Sequence, residues 1–403
     1  MYSLQKIPYF VDKTGLLCIR FNTFVYLKSL YPFKVKILKM ENALTFIADH
    51  HVAFVFGILF FFGLMEAIFG YLSDSRRNKD DVFVEVISTF FLLFITKPIV
   101  FFLSFEGTKL LFPTGEGVWT GLPFWAGLII FLLVDDFLQY WYHRSSHEYK
   151  WLWKHHRPHH TATEMGLLVS YRESIYFFMM MPNIWWLGIF TYFGGGIPVA
   201  VGLVLKQIVI ISSHSLARWD VFFYKRPFLK PVIQIVERIF ITPAFHHGHH
   251  AVSKIDAVGN PNGNFGNMFS IWDQLFGSAT FTHAFPAEYG IPNDPQDPWQ
   301  AHIFYPVVTS EKPGSELSKD FIFEKTTKTE PAILTLKEGD YLYCTCGYSR
   351  SQPFCDGSHH GTKFQPIRFS IKKEREYKLC RCKMCKKGPF CDDSHLKIEN
   401  GKV

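Results

Sequence analysis

A membrane span and a pair of candidate metal ligands are written into one stretch, Trp119–His147, WTGLPFWAGLIIFLLVDDFLQYWYHRSSH. It begins as an apolar run of the length that crosses a hydrocarbon core, which takes about 20 residues. Asp135 and Asp136 interrupt the run, and His143-Arg-Ser-Ser-His147 ends it. Residues four apart on a helix share a face, so both imidazoles can reach one metal centre. Asp136, seven residues before His143, extends that face and is expected to accept a histidine N–H from behind.

Further apolar runs lie on both sides: Ala53–Leu72, about 82–105, 174–193 and 199–212. The sequence Gly194-Gly-Gly-Ile-Pro198 separates the last two, which predicts a helical hairpin. Glu66, Glu85 and Lys97 fall inside spans, where ionisable groups tend to face an interior; Glu85 is close enough to its span's start to snorkel. Positive residues mark the cytoplasmic loops. Arg76, Arg77 and Lys79 follow the first run, and Lys225, Arg226 and Lys230 follow the hairpin, so every histidine cluster is expected on the cytoplasmic face. The predicted fold is mostly α, a multi-pass helical membrane domain over residues 40–310 capped by histidine-bearing helices. Residues 1–39 hold seven Lys or Arg against one acid, Asp12, yet this topology puts them outside. Met40 is therefore expected to be the native start, or 1–39 to be an additional membrane-bound piece.

Composition agrees with the spans. Of 403 residues 18% are aromatic, 43 of them Phe, and 19% are charged, against roughly 25% charged in typical globular proteins. A disordered chain, a coiled coil and a disulfide-dense mini-domain are excluded. The net charge of +7 invites an anionic partner. No nucleic-acid fingerprint is present, and the apolar runs favour a membrane. Seven of eight cysteines lie in Cys344–Cys391 and eleven of eighteen histidines in His143–His250, which predicts two chemistries in two domains.

The histidines form three boxes. After His143 and His147 come His155-His156-Arg-Pro-His159-His160 and His246-His247-Gly-His249-His250, each containing HxxHH, with His214 alone at the end of the hairpin. A single HxxxH recurs by chance on helix surfaces. Two copies of HxxHH beside it have no packing or solubility reason. Neutral imidazoles suit iron or zinc. His143, His147, His156, His159, His160, His246, His249 and His250, with His214, exceed one four-coordinate site, so two metals are the simpler account. His155 and His247 are surplus, and His50, His51, His283 and His302 have no spacing logic.

The stretches DFLQYWYHRSSH (136–147), HRPHH and HHGHH, followed by Asn264-Phe-Gly and Trp272-Asp-Gln-Leu-Phe-Gly277, resemble the sterol desaturase/fatty acid hydroxylase superfamily over about residues 50–285. The resemblance implies a membrane-bound di-iron enzyme whose irons are held by the nine histidines just named. Such an enzyme uses O2 to hydroxylate or desaturate a lipid C–H bond in a sterol, fatty acyl or ether lipid. The segment TATEMGLLVSYRES (161–174), with Glu164 and Arg172, is more similar to the alkylglycerol monooxygenase and bacterial branches than to sterol C-5 desaturases. Asp136, Glu164 and Arg172 are the expected catalytic residues besides the ligands.

Polar residues 311–335 are expected to be a linker to a tail, 336–403, that carries two related segments. Cys344, Cys346, Cys355 and His359 recur 36 residues later as Cys380, Cys382, Cys391 and His395. Disulfides do not suit a cytoplasmic tail, and a Cys3His zinc site fits the same side chains. Both copies resemble the CDGSH iron–sulfur family. That resemblance implies a small β-rich domain with one [2Fe–2S] cluster per motif, one iron on two cysteines and the other on Cys plus His. The second copy departs from the pattern, with Cys385 in place of Ser/Thr and Asp393 in place of glycine. Asp393 strains the turn, and Cys385 competes with Cys382 as a ligand. A tethered cluster raises its effective concentration at the histidine site. The tail is therefore expected to supply electrons, itself reduced by an upstream donor such as a ferredoxin or a reductase. A redox or iron sensor, and a non-enzymatic metal-handling membrane protein, are the alternatives. The expected location is a bacterial inner membrane.

Overall fold

The computed structural model describes residues 9–11, 17–19, 40–68, 79–252, 258–291, 294–319, 327–349, 351–359, 364–386 and 388–396. The chain divides into two compact units, Met1–His50 and His51–Val403. In the first, β1 (Tyr9–Val11) pairs antiparallel with β2 (Leu17–Ile19), and α1 covers 40–49. The rest of the expected 1–39 extension lies outside the described residues.

The second unit is mostly helical. Its first helices are α2 (His51–Ile68), α3 (Lys79–Phe91), α4 (Lys97–Leu111), α5 (Phe124–Glu148) and α6 (Lys150–His160). A π-turn, Leu92–Thr96, joins α3 to α4. There follow α7 (Ile175–Met180), α8 (Pro182–Phe190), α9 (Gly196–His214), α10 (Asp220–Tyr224) and α11 (Lys230–Val236). Then come α12 (Pro243–His249), α13 (Ile271–Leu275) and α14 (Trp299–Phe304). Among the described residues, four helical stretches are long and apolar enough to cross a membrane: His51–Ile68, Lys79–Leu111, Phe124–Glu148 and Pro182–His214. The first expected span is helical to Ile68; Arg76 and Arg77 lie outside the described residues.

Pro182–His214 is not one rod, because Gly194 takes φ 109° and breaks it. Asn183 at the start of α8 and Lys206 on α9 both reach Asp135 and Gln139 of α5. At the other end, Phe190 stacks on Phe131, and Gly127 lies where a Cβ would touch Pro198 at 3.0 Å. The two halves therefore run in opposite directions along α5, the hairpin that the glycines predict.

These helices are turned inside out relative to a soluble bundle. Phe60, Phe61, Phe94 and Phe102 are exposed, whereas Glu66, Glu85, Ser88, Thr96, Ser104 and Thr108 are buried. In lipid, apolar side chains face the solvent and polar ones must find partners inside. Glu66 Oε1 accepts from Leu167 N, Leu216 N and Ser215 Oγ, tying α2 to two loops. Glu85 is 1% exposed. The option that it snorkels is thereby corrected, since it lies on the face of α3 turned towards the protein.

Small residues let the helices close up. A Cβ on Gly188 of α8 would lie 2.6 Å from the Phe101 carbonyl of α4 and 2.0 Å from Ser104 Oγ.

The cysteine-rich region has four strands. Strand β3 (Ala332–Leu336) pairs antiparallel with β6 (Arg375–Leu379), and β4 (Gly339–Tyr343) with β5 (Ile367–Ile371). Leu336, Tyr341, Phe369, Ile371 and Leu379 form its core. The stretch expected as a linker, 311–335, has structure at both ends. Ser315 and Leu317 are fully buried, Ser310 N–H bonds the Leu317 carbonyl, and β3 begins at Ala332.

Gly188→Ala is expected to cost about 1–3 kcal/mol, because backbone as well as side chain must give way. A thermal unfolding midpoint in detergent equal to that of the unmodified chain would contradict this close approach.

Candidate metal centre

Four helices deliver the nine expected histidines. His143 and His147 sit on the last turns of α5, His156, His159 and His160 on α6, His214 at the end of α9, and His246, His249 and His250 on and after α12. All are buried. They sort into two groups: His143, His147, His156, His160 and His249 in one, His159, His214, His246 and His250 in the other. Within each group the candidate ligand atoms lie within 4.8 Å of one another. The groups adjoin, the His159 and His250 ring centres being 4.4 Å apart.

Hydrogen bonds on the far side of the rings set the tautomers. Nδ1 of His143 bonds the Phe265 carbonyl at 2.8 Å, His159 that of Val169 at 2.9 Å, His214 that of Ile210 at 2.8 Å and His249 that of Gly263 at 2.8 Å. A carbonyl only accepts, so Nδ1 carries the hydrogen and Nε2 presents its lone pair. The Nε2 atoms then face one another: His143 and His249 at 3.0 Å, His214 and His246 at 2.8 Å, His246 and His250 at 3.2 Å, His156 and His160 at 3.2 Å. In His143 and His249 both hydrogens are fixed on Nδ1, so lone pair faces lone pair, which repels unless positive charge lies between. Burial first, and the neighbouring imidazoles after it, hold His156, His160, His246 and His250 well below the ordinary histidine range, so these rings stay neutral donors. Nitrogen donors converging in this way fit two metal ions.

The surplus histidines stand apart. His155 Nδ1 meets Ser174 Oγ at 3.0 Å, and His247 Nδ1 meets Tyr289 OH at 2.9 Å. Glu173, which sequence spacing did not single out, meets His156 Nδ1 with Oε1 at 2.7 Å. It lies 17 residues away across a loop, a separation that carries no periodic signal.

Of the three residues expected to be catalytic, Asp136 is corrected in its partner, and Arg172 and Glu164 are placed as follows. Asp136 accepts from Met268 N at 2.9 Å, Phe269 N at 3.0 Å and Trp272 Nε1 at 3.1 Å, not from a histidine. Seven residues of helix are about 10 Å of rise, too far for one hydrogen bond to His143. Asp136 instead anchors the 263–269 loop whose carbonyls orient His143 and His249. Arg172 is a strut: Nε bonds the Pro158 carbonyl at 2.7 Å and Nη2 reaches Asp81 Oδ1 at 2.7 Å and Thr161 Oγ1 at 3.0 Å. Glu164 is buried in the adjoining loop, and neither it nor Arg172 lines the cavity described next.

A cavity opens on His143, His156, His159, His214 and His246. Its walls are apolar, including Leu92, Tyr142, Phe177, Ile184, Leu187 and Leu203. Lys97, Asp135, Gln139, Asn183 and Lys206 also line it. Asp135 forms an ion pair with Lys206, while Asn183 Oδ1 and the Lys97 ammonium have no hydrogen-bond or ion-pair partner among the described residues.

In the tail, Cys344 and Cys346 Sγ are 3.6 Å apart, and Cys355 Sγ is 3.2 Å from His359 Nδ1. The second copy repeats this with Cys380–Cys382 at 3.5 Å and Cys391–His395 at 3.4 Å. Backbone N–H groups of Gly347, Tyr348 and Gly357 point at the first copy's sulfurs. Two sulfurs in one pair, sulfur plus nitrogen in the other, suit a two-iron cluster. Asp393 takes φ 60° where Gly357 takes 91°, and Lys383 takes 62° where Gly347 takes 82°. Cys385 lies within 4.8 Å of Cys380 and Cys382 and so remains a competing ligand.

Residues 128–278 match the family model described as Fatty acid hydroxylase, and 317–360 match Iron-binding zinc finger CDGSH type. Alkylglycerol monooxygenase from Homo sapiens is 26% identical over 186 residues, 45% of this chain and 37% of that protein. Ornithine lipid hydroxylase OlsE from Rhizobium tropici is 29% identical over 151 residues, 38% of this chain and 41% of that protein. The chain thus spans about two fifths of the length of these relatives. The solved human mitochondrial inner NEET protein is 33% identical, covering 19% of this chain and 86% of its own, with a TM-score of 0.18. The two family-model matches thus fall on the histidine-bearing and the cysteine-bearing parts of the chain.

Two outcomes test this geometry. The metal-free chain should lose stability as pH falls below 6.5, because the unfolded chain takes up protons that the buried histidines refuse. With His155 held down to about 4, the loss should continue towards that pH. An unfolding midpoint constant from neutral pH to about pH 5 would contradict it. Asp393→Gly should relieve about 1 kcal/mol of left-handed strain. Its second cluster should bleach more slowly in visible absorption than that of the unmodified chain, and equal rates would count against strain.

Proposed function

We propose that this chain is a multi-pass, O2-dependent lipid hydroxylase with two histidine-held irons, reduced through its own iron–sulfur tail. The observation that carries this reading is the pair of convergent lone-pair groups at the head of an apolar cavity that descends between the spans. His143, His147, His156, His160 and His249 would hold one iron, and His159, His214, His246 and His250 the other. Cys344, Cys346, Cys355 and His359 would hold one [2Fe–2S] cluster, and Cys380, Cys382, Cys391 and His395 a second. The irons supply O2 activation, and the balance is C–H, O2, two electrons and two protons giving C–OH and water. Hydroxylation is preferred to desaturation because monooxygenases and a hydroxylase are among the relatives, together with aldehyde decarbonylases, and no desaturase is among those compared.

The chain's own residues do the rest. Phe177, Ile184, Leu187 and Leu203 pack along an acyl or ring system and keep water from the reacting carbon. Lys97 and Asn183 Oδ1 meet a hydrogen-bonding group of the substrate remote from that carbon, so the favoured substrate is a lipid polar at both ends of its reach. Glu173 holds the proton of His156 Nδ1 in place, which keeps Nε2 aimed at the metal. The basic residues Lys225, Arg226 and Lys230 favour the cytoplasmic face of a bacterial inner membrane for the histidines and tail, where a ferredoxin or reductase reduces the clusters.

Expression under 18O2 with lipid extraction tests the activity. A lipid gaining one labelled oxygen should appear with the unmodified chain and vanish with His214→Ala. Metal analysis should give about two irons for the histidine groups and two for each filled cysteine motif. Zinc in the histidine groups, or unlabelled lipids, would overturn the proposal.

A further inference from the structure

We infer that Trp153 is the bridge by which electrons pass from the first iron–sulfur motif to the histidine groups, an inference that rests on the tail acting as electron donor. Trp153 lies on α6, three residues before His156 and three after Lys150. Its ring centre is 5.2 Å from that of His147, 5.4 Å from His160 and 6.2 Å from His156, three of the five imidazoles in one group. Those histidines are buried, whereas Trp153 is partly exposed, so its ring leads from the group to the surface.

The tail meets the same helix there. The Lys150 ammonium lies over the Tyr348 ring, 5.5 Å from its centre. The Tyr348 N–H in turn donates to Cys346 Sγ at 3.4 Å. Residues three and seven apart share a helix face. Lys150, Trp153, Arg157 and His160 therefore form one stripe, with the tail at its start and a candidate ligand at its end. Tyr348 joins Cys346 to Lys150, Trp153 stands next on the same helix face, and its ring meets those of His147 and His160. An indole beside the ligands offers a polarizable π-system where an aliphatic side chain would offer none.

The step balances as single electron transfers. One electron leaves the reduced cluster, which returns to its oxidised form, and ferric iron at the histidines becomes ferrous. A second transfer follows after the cluster has been reduced again by a ferredoxin or a flavoprotein reductase. Trp153 forms and breaks no bond.

The full iron-loaded chain in detergent, reduced without O2 and then mixed with aerated buffer, reports the transfer as return of the oxidised cluster's visible absorption. Rates are taken per bound iron for the unmodified chain, Trp153→Leu, Trp153→Phe and His143→Ala. Trp153→Leu should slow cluster oxidation roughly tenfold or more, with Trp153→Phe between. Its cluster potential should be unchanged, and a small viologen reductant should reduce the histidine-held iron at the unmodified rate. Equal cluster oxidation in Trp153→Leu and the unmodified chain would overturn the role of Trp153 and leave the donor reading standing. If Trp153→Leu binds no iron, equal rates for Trp153→Phe and the unmodified chain overturn it. Should the unmodified chain's cluster oxidise no faster than in His143→Ala, the donor reading itself falls, and Trp153 with it.

Discussion

Imidazole nitrogens that face one another at 2.8–3.2 Å inside a protein are the constraint on which the rest of this structure depends. Burial keeps the rings neutral, and where lone pair meets lone pair, as in His143 and His249, mutual repulsion would push the helices apart. Positive charge between the rings turns that repulsion into attraction. On the proposed reading, a cation shared by these histidines would join α5, α6, α9 and α12 at the point where packing alone sets like poles together. The backbone carbonyls behind the rings belong to the same arrangement. In His143, His159, His214 and His249 they fix the hydrogen on Nδ1 and leave the lone pair on Nε2 facing inward.

This explains why so much of the polar machinery stands one layer back. Asp136 holds the backbone of Met268 and Phe269, Asp273 holds that of Phe265 and Gly266, and the loop so fixed presents two carbonyls to His143 and His249. Arg172 ties Asp81 at the start of α3 to the Pro158 carbonyl inside the second histidine box. None of these groups touches the cavity. Each holds in position something that does.

The two halves of the chain meet different solvents. Spans with exposed Phe and buried Ser, Thr and Glu suit hydrocarbon, and the cavity between them continues that apolar surface inward to the histidines. The cysteine region buries a small aromatic and aliphatic core between paired strands and presents its sulfurs at strand ends. The contact of Lys150 with Tyr348 brings the two chemistries to one helix.

Spans, histidine boxes and the 36-residue cysteine repeat were legible in the sequence because each is a local pattern. Apolar length, i to i+4 spacing and repetition need no knowledge of distant contacts. The hairpin was legible for the same reason, since Gly194 and its neighbours break a helix wherever they stand. What pairs across long separations was not. Asp136 was assigned to a histidine because helical spacing names a face but not a height. Glu173 carried no signal because its partner lies on another element. The division of nine histidines into five and four, and the meeting of Lys206 with Asp135, exist only once four helices have converged. The sequence alone determined which histidines and cysteines this protein has to offer; only the tertiary structure decided which of them come together, because ring position and lone-pair direction are set by helices and loops that meet only in the fold.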